Sequence, residues 1–208
     1  MDKQFVSRGG IKLQAALDKF KGDVKDKVVL DVGSSTGGFV DCLLQNGASK
    51  VYAVDTAYGE LAWKLRNNPR VIVMERTNIL YMQHLRGETK ESPGSHLGGE
   101  EKVDLITVDC GWTKLELVLP AVKKFLKKNG LIVALLKPHY ETDKRNLVKG
   151  VVRPNLVKSV KEEVVKKIES LGLIHPMLTH CKVLDEMESP ILGGGGNTEY
   201  LLLIKPHL

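Results

Sequence analysis

Short apolar runs alternate with longer mixed stretches along this chain, and that rhythm predicts its elements. KVVLDV, KVYAVD, RVIVME, VDLITVD and GLIVALLK are rich in β-branched residues and apolar at successive positions, the pattern of strands buried on both faces. Between them the spacing predicts helices over Gly37 to Gln45, Tyr58 to Arg66 and Lys114 to Lys127, the last closed by Asn129-Gly130 as a C-cap. Trp63 is expected to pack its helix against the sheet. Alternation of this kind builds βαβ units, hence an α/β fold with a mainly parallel, doubly wound sheet. After Pro154 the rhythm changes. A helix from about Asn155 to Ser170 leads into LIHPMLTHCKVL and TEYLLLI, two strands with no helix between them, which predicts an antiparallel hairpin at a sheet edge. The polar stretch from Arg86 to Lys102 reads as a flexible surface loop within a single domain, residues 1–208.

The first strand ends in a glycine-rich turn. Asp31 and Val32 close the strand, and Gly33, Ser34, Ser35, Thr36, Gly37 and Gly38 form the turn ahead of Phe39. Glycine there permits positive φ and lets a ligand approach the backbone. Open α/β sheets bind ligands beyond the carboxyl ends of their strands, where the strand order reverses. The dinucleotide pattern G-x-G-x-x-G is not met, because Ser35 stands at the middle glycine and Thr36 adds a hydroxyl. That weakens a pyrophosphate reading. Alone, the turn also reads as a tight strand-to-helix connection with no ligand. Asp55 changes the picture: it ends the next strand about 20 residues on, where an acid holds both hydroxyls of a ribose.

Asp109 and Lys137 end two later apolar runs and should reach the same rim of the sheet as the glycine turn. Charges at the ends of apolar strands are costly to desolvate unless paired or put to use. Burial, or a neighbouring cation such as Lys12, pulls the Lys137 pKa down, whereas Asp109 and Glu199 push it up, so the sequence leaves the net direction open. Once deprotonated, such a lysine is a general base for a poorly acidic hydroxyl. The plain alternative is an Asp-Lys salt bridge at the rim, with Glu199 a solvated edge residue and Lys12 one more lysine on an exposed helix.

Composition narrows the classes. The 208 residues are 42% hydrophobic and 27% charged, ordinary for a soluble globular protein. No apolar run approaches the roughly 18–20 residues that cross a bilayer, and MDKQFVSRGG lacks the apolar core of a secretion signal. Three cysteines, odd in number and without C-x-x-C spacing, fit reduced thiols in a cytoplasm better than a disulfide framework or zinc site. No cluster demands a metal. The net charge of +6 permits a polyanionic partner without establishing one.

Read together, VSRGGIKLQAAL, VLDVGSSTGGFVDCLLQNGASKVYAVD, YGELAWKLR, ERTNI, LLKPHYE and GNTEYLLLI resemble the TlyA (hemolysin A) family, a branch of the FtsJ-like ribose methyltransferases. The likeness spans nearly the whole chain with the motifs in order. It implies a Rossmann-like class I methyltransferase fold: a mainly parallel seven-stranded sheet with a C-terminal antiparallel hairpin. It further implies S-adenosylmethionine as cofactor and 2′-O-methylation of ribosomal RNA, typically at cytidine. On this resemblance Lys12, Asp109, Lys137 and Glu199 form the Lys-Asp-Lys-Glu catalytic set, with Lys137 as base. Gly33, Ser34, Thr36, Gly37 and Gly38 flank the methionine moiety, Asp55 holds the ribose, and Thr77 and Asn78 lie near adenine. Asp31, Ser35 and Phe39 complete the cofactor set. Two departures are visible: family members usually carry an S4-type RNA-binding domain ahead of VSRGG, and Cys110-Gly111-Trp112-Thr113 stands where a Ser-Phe-type segment is usual.

RNA contact would begin at phosphates, with Arg8, Lys64, Arg66, Lys144, Arg145, Lys149 and Arg153 as candidates. Trp112 and Tyr140 flank Asp109 and Lys137 and read either as stacking partners for a flipped-out base or as simple packing at the sheet rim. The lysines at 123, 124, 127 and 128, and at 158, 161, 166 and 167, read as solvated helix faces. His139 is a rim hydrogen-bonder without catalytic role. Rival functions are a methyltransferase with a non-RNA substrate, a non-catalytic RNA- or ribosome-binding module, and a membrane-active hemolysin. The last is disfavoured by the lack of a spanning segment.

Overall fold

The computed structural model describes residues 4–85, 101–174 and 180–206. Its strands are β1 (Val28–Val32), β2 (Lys50–Val54), β3 (Val71–Met74), β4 (Val103–Val108), β5 (Leu126–Leu136), β6 (Leu147–Val148), β7 (Val151–Val152), β8 (Cys181–Glu188) and β9 (Tyr200–Pro206). Its helices are α1 (Gly9–Phe20), α2 (Gly38–Gln45), α3 (Trp63–Arg66), α4 (Leu115–Lys123), α5 (Pro138–Glu141) and α6 (Pro154–Ile174).

Seven strands form one sheet in the order β3-β2-β1-β4-β5-β9-β8. β3 through β5 are parallel, and β9 runs antiparallel to both β5 and β8. This is the seven-stranded α/β sheet expected, with its C-terminal antiparallel pair. After β1 the chain builds outward through β2 and β3, then returns to place β4 on the other side of β1. The strand order therefore reverses between β1 and β4, and the crevice at their carboxyl ends is where such sheets bind ligands. Gly33 and Asp109, the residues just past those two ends, meet there.

One core cluster joins the sheet to α1 and α2 through Leu13, Leu17, Phe39, Leu43 and Val51. The other joins the opposite face to α4 and α6 through Leu30, Ile106, Leu119, Val164 and Ile168. Helices on both faces explain why the strand runs are apolar at successive positions rather than alternating. Among the described residues no helix is long and apolar enough to cross a membrane.

Several local expectations are corrected. The helix expected to end at Lys127 stops at Lys123, and Asn129-Gly130 is no C-cap but part of β5. Phe125 and Leu126 are buried, and Val103 pairs with Leu126 while Leu105 pairs with Leu131, so Lys127 to Gly130 bulge out of the ladder. A Cβ at Gly130 would lie 2.5 Å from Leu126 Cγ, which leaves room only for glycine. Lys127 thus sits on a bulge, paired with Asp104 at 2.7 Å, rather than on a helix face. The helix expected from Tyr58 shrinks to Trp63–Arg66, because Gly59 takes φ 80° and its N–H donates to Glu75. Trp63 is 77% exposed; Leu61 and Leu65 do the packing assigned to it. Lys161 is not a solvated face either, being mostly buried against Glu186. Of the polar stretch 86–102, residues 86–100 lie outside the described residues. Glu101 is held by Lys50 and by the Tyr52 hydroxyl.

Candidate active site

The glycine turn is braced from both sides of the reversal point. Gly33 N–H donates to Val54 O, and Asp109 N–H donates to Val32 O. Gly33 takes φ 85°, and a Cβ there would lie 2.6 Å from Asp109 O, so only glycine lets the two strand ends close on each other. Gly37, at φ 97°, leaves the space that the Leu65 side chain fills. Asp55 accepts the N–H of Ser35 at 2.7 Å and that of Ala57 at 2.8 Å. It therefore holds the turn in shape as well as facing the cavity, a bracing role that strand-end position alone did not disclose.

Two cavities open beside this turn. One of about 380 Å³ is lined by Gly33, Ser35, Asp55, Thr77 and Asn78 on one side and by Asp109, Cys110, Trp112 and Lys137 on the other. A second, of about 270 Å³, is lined by Arg8, Lys12, Ser34, Thr36, Gly38 and Phe39. Gly33, Ser35 and Asp109 belong to both, so the cavities meet at the reversal point. Asp31 lies beneath. It is fully buried, and Thr107 Oγ1 donates to its Oδ1 at 2.5 Å, while Oδ2 is buried with no partner among the described residues. Burial, opposed by that hydrogen bond and reinforced by Asp109 and Asp55, raises its pKa to about 7.

Lys12, Asp109, Lys137 and Glu199 come together as two ion pairs. Lys12 Nζ donates to Glu199 Oε2 at 2.5 Å, bridging α1 to the residue just before β9. Glu199 is 2% exposed and Lys12 9%. Lys137 Nζ lies 2.6 Å from Asp109 Oδ1, close enough for a strong ion pair but off hydrogen-bond direction. Burial pulls the Lys137 pKa down, but Asp109 and then Glu199 outweigh it, and the net shift is upward. The direction left open by the sequence is thus settled: Lys137 rests as an ammonium. Burial raises the Asp109 pKa against the pull of Lys137 and Lys12. At Cys110, burial followed by the Asp109 charge pushes the thiol up to about 12, so it stays protonated.

Aromatic groups continue the wall. Trp112 is 88% exposed, with its ring 5.5 Å from that of Tyr140, and Tyr140 lies 4.1 Å from His139. His139 keeps a buried Nδ1 without a partner among the described residues, and burial lowers its pKa. Lys144, Arg145, Lys149 and Arg153 are all exposed, on and around the β6–β7 hairpin. Arg145 is paired with Asp143 at 3.4 Å while still exposed, whereas Lys64 is engaged by Asp41 at 3.0 Å and Arg66 by Glu75 at 2.5 Å. Gly111 and Thr113, in the segment that departs from the usual family pattern, and Ser7, in the VSRGG motif, also line the cavities, as does Thr56, which no sequence signal marked. No group of three or more His, Cys, Asp or Glu among the described residues is arranged to hold a metal.

An open parallel sheet with a glycine turn and an acid at its reversal point, and paired lysines and carboxylates beside it, defines a Rossmann-like methyltransferase scaffold. The chain belongs to the FtsJ-like methyltransferase family, whose model matches residues 5–205. It is 42% identical to YqxC of Bacillus subtilis over 96% of this chain and 65% of that protein. It is 38% identical to the 16S/23S rRNA (cytidine-2′-O)-methyltransferase TlyA of Mycobacterium tuberculosis, over 98% of this chain and 69% of that protein. A Streptococcus thermophilus protein of solved structure superposes with a TM-score of 0.83 at 36% identity, covering 99% of this chain and 68% of that one. The chain thus spans about two thirds of the length of the relatives it matches.

Proposed function

We propose that this chain is the methyl-transferring part of an enzyme that uses S-adenosylmethionine to methylate the ribose 2′-oxygen of ribosomal RNA, at cytidine. The observation that carries the reading is the Lys137–Asp109 ion pair set into the wall of the reversal-point cavity, with the Lys12–Glu199 pair beside it. A rim salt bridge with no further use would not need a second buried pair next to it, since each buried charge costs several kcal/mol to desolvate.

The residues present fit the cofactor. Gly33 and Ser35 bring backbone to the cavity, Asp55 faces it from the end of β2, and Thr77 and Asn78 close the far side where a base would rest. Gly38 and Phe39 line the adjoining cavity, while Gly37 shapes the turn from beneath. Asp31 lies buried beneath the turn and lines neither cavity, so it supports the turn from below. When bound, S-adenosylmethionine supplies a methyl group already activated on a sulfonium, so the chain's own task is to align a hydroxyl and take its proton. Lys137 is the base in this scheme. Asp109 holds its Nζ toward the cavity, and Lys12, tethered by Glu199, presents a second positive charge to the oxygen as its proton leaves.

Calorimetric titration of S-adenosylmethionine followed by methyl transfer tests this. Saturable one-to-one binding, retained in Lys137→Ala while transfer is lost, is the expected result. Full transfer by Lys137→Ala would remove the lysine from the role of base. Absence of binding in the wild-type chain would favour a non-catalytic RNA-binding module.

A further inference from the structure

Four exposed cations surround the β6–β7 hairpin: Lys149 at its turn, Lys144 and Arg145 just before β6, and Arg153 just after β7, yet the hairpin has only two residues in each strand. Its turn is Lys149-Gly150, with φ of 50° and 82°, the mirror-image turn that matches hairpin twist and favours asparagine and glycine. A lysine in left-handed backbone costs about 1–2 kcal/mol, and Lys149 is exposed at the tip. Its charge is placed there against conformational preference.

Such a hairpin needs outside support. Leu147 faces Val152 in the non-bonded register, so the Val152 N–H and Gly150 C=O point away from β6, toward an open edge. Asn197 covers that edge. Its Oδ1 accepts the Val152 N–H at 3.0 Å and its Nδ2 donates to Gly150 O at 3.0 Å, so one side-chain amide stands in for a neighbouring strand. Asn197 is 3% exposed, and its backbone O accepts the Gly193 N–H. Two residues on is Glu199, which holds Lys12. The other end of the hairpin runs back through α5 to Lys137. The cationic hairpin is therefore fixed on one side to Lys137 and on the other, through Asn197, to Glu199.

We propose that Asn197 is a positioning residue. It registers the phosphate-gripping hairpin against the two ion pairs, so that the nucleotide whose backbone the hairpin holds presents its 2′-hydroxyl to Lys137. This rests on the reading of the chain as an RNA ribose methyltransferase. The cations themselves supply affinity; Asn197 converts that affinity into alignment.

Asn197→Ala and Asn197→Asp decide it, with amide hydrogen exchange on the RNA-free chain and single-turnover methyl transfer at saturating RNA as readouts. In Asn197→Ala the Val152 amide should exchange faster while those of β9 stay protected. Transfer should slow on the order of a hundredfold, the scale set by a displacement of about 1 Å. RNA and S-adenosylmethionine affinities should hold within about threefold, since no cation is removed and the cofactor cavity is untouched. Asn197→Asp keeps the acceptor for Val152 and should fall between. In the alanine background, neutralising Lys149 and Arg145 should cost no further transfer rate. A wild-type rate despite faster exchange would overturn the proposal. So would a lost rate accompanied by parallel losses of cofactor affinity and thermal stability, which marks a merely structural role. A wild-type chain that binds RNA yet methylates none would refute the assigned reaction instead, a result these variants do not mimic.

Discussion

Gly193→Ala separates the catalytic geometry from backbone effects. Gly193 has φ −67° and ψ 177°, a conformation open to alanine, so the backbone contributes if anything a gain of about 0.4–1 kcal/mol. The side chain is the problem. Its Cβ would lie 2.0 Å from Glu199 Oε1 and 2.5 Å from Cδ, against 3.4 Å for ordinary contact. The carboxylate must therefore retreat by about 1.4 Å, more than a packed neighbourhood absorbs. Since Glu199 is 2% exposed and Lys12 9%, retreat breaks a buried pair and leaves uncompensated charge, at about 3–5 kcal/mol. Net destabilisation of roughly 2–4 kcal/mol is expected, read from the urea midpoint at unchanged m. Methyl transfer should fall on the order of a hundredfold, because Lys12 loses its anchor. Gly194→Ala, with nothing within 4 Å, is the control and should stay within about 0.5 kcal/mol of the parent. If Gly193→Ala matches Gly194→Ala in stability and transfer, Glu199 does not hold Lys12 in the way described.

Other consequences are equally open to measurement. Because the Lys137 pKa is raised above the ordinary 10.5, its base form is scarce at neutral pH. The single-turnover rate should climb about tenfold per pH unit with no plateau below that value; a plateau near neutrality would mean another base. Asp31, raised from 3.8 to about 7, binds its proton more tightly folded than unfolded. It therefore costs stability as pH rises through that window and the full amount above it. Asp31→Asn should accordingly gain on the order of 4 kcal/mol relative to the parent between the two ends of that window. Denaturation curves with a pH-independent difference would contradict this. Neutralising Arg145 and Lys149 together should lower the slope of log affinity for RNA against log salt by about 0.7 for each phosphate they neutralise in the parent; an unchanged slope would place the RNA elsewhere.

What the sequence disclosed follows physical range. Strand runs such as Val28 to Val32 were legible because burial on both faces writes itself locally, and the glycine turn because Gly33 and Gly37 need positive φ. The stretch from Lys123 to Gly130 was misread because KKFLKKNG carries helical spacing, whereas its fate is decided by the pairing of Val103 with Leu126 in a distant strand. Lys12 and Glu199 are 187 residues apart, and nothing local ties them; family resemblance brought them together, and the fold supplies the contact. Asp55 as brace and Asn197 as edge cover are likewise invisible locally, since each acts through backbone groups elsewhere. Trp63 shows the converse error: an apolar residue at helical spacing need not be inside.

The most direct test supplies methyl-labelled S-adenosylmethionine and ribosomal subunits to the chain, then digests the RNA to nucleosides and locates the label. Label is expected in 2′-O-methylcytidine with the wild-type chain and none with Lys137→Ala. Label on a base, on ribosomal protein, or nowhere in the RNA despite cofactor binding would contradict it.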